Sequence, residues 1–232
     1  MTRRRWIADE LSGNRAALIG EHAGHLIRVL RARVGQEFDI ATGSTVRRGR
    51  IVVISDGRVE FELGEEVATA AALNLTLAIA VFKFDHMEWA IEKCTELGVS
   101  RIVPVIARRT QSHLAAAATK RVERWRRIAG EAAEQSRRSA PPEITAPVKL
   151  QEVMKLEASL RIVLSESEQQ SQLREILDAH PKGDRILAIG PEGGWAEEEL
   201  KQFEDAGWFA ASLGPTILRA ETAAIAATAI AL

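Results

Sequence analysis

Two glycine-proline segments near the end of this 232-residue chain carry the residue types best suited to holding a small ligand. The first, Gly190-Pro191-Glu192-Gly193-Gly194-Trp195, closes an apolar run at 186–189, and the second, Gly214-Pro215-Thr216-Ile217-Leu218-Arg219, closes another at 209–213. Each opens onto a helical pattern, which predicts two loops at the carboxyl ends of strands, the crevice where open α/β sheets bind ligands. A glycine-rich turn entering a helix is ordinarily a phosphate cradle, because backbone N–H groups and the helix dipole attract anions. Here Glu192 sits in the turn and Glu197, Glu198 and Glu199 fill the next helical turn, so a pyrophosphate would meet four carboxylates. Neither a Walker pattern nor GxGxxG occurs, which disfavours a dinucleotide. A neutral or cationic ligand with a flat group to lay against backbone fits better. The purely structural alternative is a helix start, since first-turn acids complement the macrodipole. Trp195 and Leu200 also fit a hydrophobic staple around a cap at Ala196, with Glu199 at the third position.

After the second loop, residues 222–232 carry no charge and almost only small side chains. A helix apolar on all sides is buried. Packing on the sheet on one side and on a second subunit on the other is the expectation. Arg219 and Glu221 are the ionisable groups at its start; a structural salt bridge is the alternative to a catalytic role for them.

The elements that must position these loops are legible from periodicity. Residues 1–66 predict short strands at 37–41, 50–54 and 58–63, hairpin turns at Gly43-Ser44 and Asp56-Gly57, and one helix over 22–31 with Leu26, Ile27 and Leu30 on one side. From Leu73 strands alternate with helices. A strand at 73–80 precedes a helix whose face is Phe84, Met87, Ile91, Cys94 and Leu97, ended by Gly98. A strand at 101–105 precedes a long helix at 120–138 with the stripe Val122, Trp125, Ala129 and Ala132. Further units fall at 160–164, 172–179, 185–189, 196–206, 209–213 and 218–232. Repeated βα units predict a parallel sheet covered on both faces. The domain boundary falls near 65–72, where charge gives way to alanine.

The formal net charge of -1 hides a gradient: residues 1–50 hold ten arginines against five acids. That asymmetry points to nucleic acid or an acidic partner, a solvated arginine-rich surface being the alternative. A single cysteine, Cys94, excludes an intramolecular disulfide, and no cluster has zinc spacing, so no metal is expected. The uncharged run 67–82 is too short to span a bilayer, and the start does not read as a secretory signal. A cytoplasmic protein without membrane contact is expected.

Several motifs occur together and in order: His25-Leu26-Ile27-Arg28-Val29-Leu30-Arg31, Glu92-Lys93-Cys94-Thr95-Glu96-Leu97-Gly98-Val99, Glu131-Ala132-Ala133-Glu134-Gln135-Ser136-Arg137-Arg138, the 189–194 turn, and 213–223. In these the chain resembles the SPOUT-class RNA methyltransferases, and within them the bacterial enzymes that methylate uridine N3 in 16S ribosomal RNA. The resemblance implies an α/β protein with an N-terminal PUA-like β-barrel for RNA at 1–70. It implies a C-terminal SPOUT domain at 71–232, tied in a deep trefoil knot and acting as a homodimer on the small ribosomal subunit. It also implies S-adenosylmethionine as cofactor, held mainly by backbone. The implied contacts are Leu164 and Ser165; Ile189, Gly190, Pro191, Glu192, Gly193 and Gly194; and Leu213, Gly214, Ile217, Leu218 and Ala223. A cationic sulfonium agrees with the acidic loop. For RNA the implied residues are Arg3, Arg4, Arg28, Arg31, Lys83, Gln135, Arg137 and Arg138.

Departures from the family pattern are Ala196 where serine is common, Thr216 where a basic residue is usual, Arg5-Trp6, and 84–86 without an arginine. For catalysis, Arg219 would stabilise charge on a uracil carbonyl oxygen, and Glu221, Glu192 or solvent would take the N3 proton. The competing readings are a SPOUT enzyme acting on tRNA or on ribose 2'-hydroxyls, and a ribosome-assembly RNA-binding factor without catalysis.

Overall fold

The computed structural model describes residues 5–43, 45–67 and 74–232. Arg3, Arg4, Ser44 of the first expected hairpin turn and Leu73 of the expected strand start lie outside the described residues. The chain divides into two compact units, Met1–Ala71 with Ala133–Pro141, and Ala72–Ala132 with Pro142–Leu232.

The first unit is a six-stranded sheet, ordered β1-β4-β5-β6-β3-β2, built from β1 (Arg5–Ile7), β2 (Glu10–Ser12), β3 (Arg15–Ile19), β4 (Glu37–Ala41), β5 (Val46–Ser55) and β6 (Arg58–Val67). Its two edge strands are consecutive in the chain. Ala8 donates its N–H to the carbonyl of Ala41 at the end of β4, and Asp9 donates to Ala17 of β3, so the sheet curls until its edges meet at this dipeptide. In β6 Val59, Phe61 and Leu63 point inward while Glu60 and Glu62 do not, the period-two pattern read from sequence. They close on Trp6, Leu18, Leu26, Ile40 and Ile51. The expected helix starts earlier than read, as α1 (Gly20–Gly24), and continues as a π-helical segment (His25–Val29). The i→i+5 turn shifts the register and leaves Arg28 and Val29 exposed while Leu26 stays buried. The segment Ala133–Pro141 belongs to this unit. His22 Nε2 lies 3.3 Å from Glu134 Oε1, and Arg5 donates to the Arg137 carbonyl.

The second unit is a parallel sheet with main order β10-β8-β7-β12-β11-β13. Its strands are β7 (Leu75–Ala80), β8 (Arg101–Ile106), β9 (Glu143–Ile144), β10 (Val148–Lys149), β11 (Leu160–Leu164), β12 (Arg185–Ile189) and β13 (Phe209–Ala211). Its helices are α2 (Phe84–Leu97), α3 (Ser112–Gln135), α4 (Leu150–Val153), α5 (Leu173–Ala179), α6 (Glu197–Asp205) and α7 (Ala220–Ala231). Right-handed crossovers decide which face each helix covers. The steps β7→β8 and β11→β12 run one way across the sheet, and α2 and α5 share one core with α3 and α7. The step β12→β13 and the return from β10 to β11 run the other way, and α6 and α4 cover the opposite face. Alternation within the strands matches. Leu75, Leu77 and Ile79 of β7 join the first core, and Ala78 and Ala80 the second.

Several element ends differ from those the periodicity predicts. Helix α3 begins at Ser112 rather than 120, because Ala115 to Ala118 are strong helix formers and Leu114 and Ala118 extend the buried stripe by one turn. It ends at Gln135, and Arg137 at φ +61° blocks its continuation. The expected strand 209–213 stops at Ala211, where Ser212 leaves β11 to pair with Gln172. The short elements β9, β10 and α4 have too few residues to show a period.

Cys94 is sealed between α2 and α7, with the Thr228 hydroxyl at 3.5 Å. Burial pushes its thiol up to about 12, opposed only in part by the Thr228 contact. The folded protein therefore holds it protonated throughout the neutral range. The associated stability is whole below the unfolded value of 9.0 and is lost as pH rises toward about 12. At pH 8 a soluble aromatic disulfide reagent should leave Cys94 unmodified in the native protein and titrate it fully in denaturant. Fast native-state labelling would contradict this packing.

Candidate functional site

A cavity of about 310 Å³ opens at the carboxyl ends of the parallel strands, where the loops after β8, β11, β12 and β13 converge. The two glycine-proline loops are not adjacent. Strand β11 separates β12 from β13, so its own loop forms the floor between them. From that strand end come Leu164 and Ser165, with Glu166 and Ser167. Ser165 donates its backbone N–H to Ala211, and its hydroxyl lies 2.8 Å from that of Ser167.

The β12 loop contributes Ile189, Gly190, Pro191, Glu192 and Gly194 to the wall; Gly193 lies just outside it. Its turn is closed by Gly194 N–H on the Pro191 carbonyl at 2.8 Å. Gly194 sits at φ +68°, and a Cβ there would stand 2.7 Å from Glu166 Oε1. A side chain there would be strained by the left-handed backbone and would displace the Glu166 carboxylate from its place beside the turn. A Cβ at Gly190 would meet Trp195 at 3.3 Å. Trp195 is itself fixed edge-on to Phe203 of α6, 5.0 Å between rings. The β13 loop supplies Leu213, Gly214, Ile217 and Leu218, and α7 adds Ala223. Ser212 ties that loop down, donating its hydroxyl to the Gly214 carbonyl at 3.1 Å.

Glu199 corrects the charge argument made from sequence. It is buried, accepting from Ala196 N–H at 2.9 Å and from Arg108 N–H at 2.8 Å. One carboxylate thus caps α6, where Ala196 has no side chain to do so, and anchors the β8 loop. It is not available to repel an anion. Glu198 is outside the wall and pairs with Arg108 at 3.0 Å. Its own backbone N–H and the Arg108 charge hold its carboxyl below the usual range. The wall carries Glu166, Glu192 and Glu197, and its one cation among the described residues is Arg109. Arg109 and Glu166 were missed because neither lies in a glycine-rich segment. The signal that could have found them is their place just beyond the ends of β8 and β11.

Arg219 is exposed at the cap position of α7, outside the wall, with Leu218 and Ala220 on either side of it inside. Glu221 is buried and turned toward α2, its Oε1 3.1 Å from His86 Nδ1; Oε2 has no partner among the described residues. Lys83 is exposed at the start of α2 and donates its backbone N–H to Glu192 at 3.3 Å. In the first unit Arg28 is exposed with its guanidinium folded toward the Gly24 carbonyl at 3.4 Å, and Arg31 is exposed at φ +50°. Gln135 and Arg137 are exposed, whereas Arg138 is half-buried, and that burial lowers its pKa. Among the described residues no group of three or more histidine, cysteine or acidic side chains could hold a metal. No helix among them is long and apolar enough to cross a membrane.

This fold and cavity define a class: residues 69–232 match the RNA methyltransferase domain family. A ribosomal RNA small subunit methyltransferase E from Rickettsia conorii is 31% identical over 97% of this chain and 92% of its own. The protein of that name from Bacillus subtilis is 30% identical over 89% of this chain and 85% of its own. A crystal structure of ribosomal RNA small subunit methyltransferase E from Neisseria gonorrhoeae, bound to S-adenosyl methionine, superposes with a TM-score of 0.85 at 32% identity, covering 98% and 96% of the two chains. The chain belongs to the ribosomal RNA small subunit methyltransferase E family.

Proposed function

We propose that this protein transfers a methyl group from S-adenosylmethionine to N3 of a uridine in 16S ribosomal RNA, acting on the small ribosomal subunit. The observation that carries the reading is the cavity. Loops from four strand ends meet there, with Gly194 in the left-handed region and a Cβ at Gly190 coming within 3.3 Å of Trp195, in a chain whose Neisseria relative is solved with that cofactor. The residues present fit the group: the volume is that of a small-molecule site, and an acidic wall suits a sulfonium and an ammonium. When bound, the cofactor supplies an electrophilic methyl group. Backbone of 189–194 and 213–218, with Leu164 and Ser165, would hold it.

Uracil N3 keeps its proton at neutral pH and lies on the Watson–Crick edge, so the base must be unpaired and turned out. Arg219, an exposed guanidinium at the rim, stabilises negative charge on a uracil carbonyl oxygen. Glu192 lines the cavity and takes the N3 proton in this reading, a role its place in the wall supports, whereas Glu221 contacts His86 at the start of α7. The exposed Arg28, Arg31, Lys83, Gln135 and Arg137, with Arg3, Arg4 and the half-buried Arg138, grip the RNA, mainly at phosphates that position without reading sequence.

The path of the last elements supports the knot expected of the class. After β13 at the sheet edge the chain returns as α7 beneath β7 and β12, past the α5 crossover. A homodimer through α7 and α2 is supported by what the subunit leaves open: Trp89 of α2 is 49% exposed.

Three measurements check these assignments. Arg219→Ala at saturating cofactor should lower single-turnover methyl transfer about 100-fold or more; near-wild-type turnover removes Arg219 from the mechanism. Affinity for the RNA should fall at least about tenfold between 50 and 200 mM salt, and a flat response would contradict the phosphate grip. Sedimentation should give a dimer that Trp89→Glu dissociates; a monomer at micromolar concentration would refute the shared α7 face.

A further inference from the structure

The cavity wall has three carboxylates, Glu166, Glu192 and Glu197, against a single cation, Arg109, among the described residues. Such a wall suits the positive groups of S-adenosylmethionine and opposes one part of it, the carboxylate at its methionine end. Bringing an unpaired carboxylate against three others is costly, both by repulsion and by lost hydration. A ligand with both charges needs a cation at one point of an acidic wall.

Arg109 is held at that point. Its loop is fixed on either side: Ala107 donates its N–H to the Thr110 hydroxyl at 3.1 Å, that hydroxyl donates to the Val81 carbonyl at 3.2 Å, and Arg108 N–H is bound by the buried Glu199. The side chain lies over the glycine turn. A Cβ at Gly193 would be 3.5 Å from Arg109 Cδ, and Nη1 donates to the Gly193 carbonyl at 2.6 Å. That single bond orients the guanidinium and leaves its other N–H groups for a further acceptor, and the planar fork matches a carboxylate.

We propose that Arg109 binds the carboxylate of the cofactor's methionine end and so selects the intact amino-acid tail. Arg109 is then a binding residue for the cofactor as well as a brace for the glycine turn, and the proposal rests on the cofactor reading given above. It predicts coupling between one side chain of the protein and one group of the ligand, which removal of each separates from any general loosening of the loop.

The test is calorimetric titration of the full chain, wild type, Arg109→Ala and Arg109→Lys, with S-adenosylmethionine and with its decarboxylated form. Wild type should bind the intact cofactor about tenfold more tightly than the decarboxylated one. Loss of the brace in Arg109→Ala weakens both ligands to the same extent, so the mark of the carboxylate contact is a further loss of about that factor for the intact cofactor alone, which Arg109→Lys should recover in part. Equal weakening of both ligands by Arg109→Ala overturns the proposal and leaves Arg109 as a brace of the turn. No change for either ligand overturns it too, and leaves its guanidinium to the RNA. If wild type binds neither ligand, the cofactor reading itself falls, an outcome distinct from the failure of Arg109 alone.

Discussion

Right-handed crossover between parallel strands is the constraint from which the rest of the second unit follows. Because every strand of this sheet runs the same way, the loops after β8, β11, β12 and β13 emerge at one edge. Because each crossover has one hand, reversing the direction of travel across the sheet sends the next helix to the other face. The return from β10 to β11 and the jump from β12 over β11 to β13 therefore place α4 and α6 opposite α2, α3, α5 and α7. Where those directions of travel meet, loops from distant stretches of chain come together, and the cavity lies there.

The same loops show how one side chain can serve packing and site geometry together. Glu199 caps α6, which lacks a capping side chain at Ala196, and with its second oxygen it holds the backbone at Arg108. Each oxygen takes an N–H that would otherwise be unsatisfied near the core, so the carboxylate is fully employed despite its burial. Anchoring the β8 loop in turn fixes the base of Arg109, which reaches back to the Gly193 carbonyl. Helix capping, loop position and the charge of the cavity wall are in this way coupled through five residues, Ala196, Glu199, Arg108, Arg109 and Gly193.

Most of the fold was legible in the chain because its signals are local. Strands at 160–164 and 185–189 were read at their observed bounds, and Met87, Ile91 and Cys94 lie on the buried face their spacing predicted. Strand β6 alternates as its residues demand. What failed were elements carried by context. Strands of two or three residues, such as β9 and β10, have no period to show, and the π-helical turn at His25–Val29, which sets Leu26 into the core of the first unit, has no local pattern that marks it.

By itself the sequence determined the order of the elements, their buried faces, and the two glycine-proline turns, since each depends on side-chain volume, polarity or backbone freedom within a few residues. Only the tertiary structure decided which charges face the ligand. Four glutamates close together in sequence are divided by the fold: Glu192 and Glu197 line the cavity, Glu198 pairs with Arg108 outside the wall, and Glu199 is buried as a cap. Arg109 and Glu166 enter from other strand ends. Electrostatic character is set by distance through space and by solvent access, and chain order encodes neither.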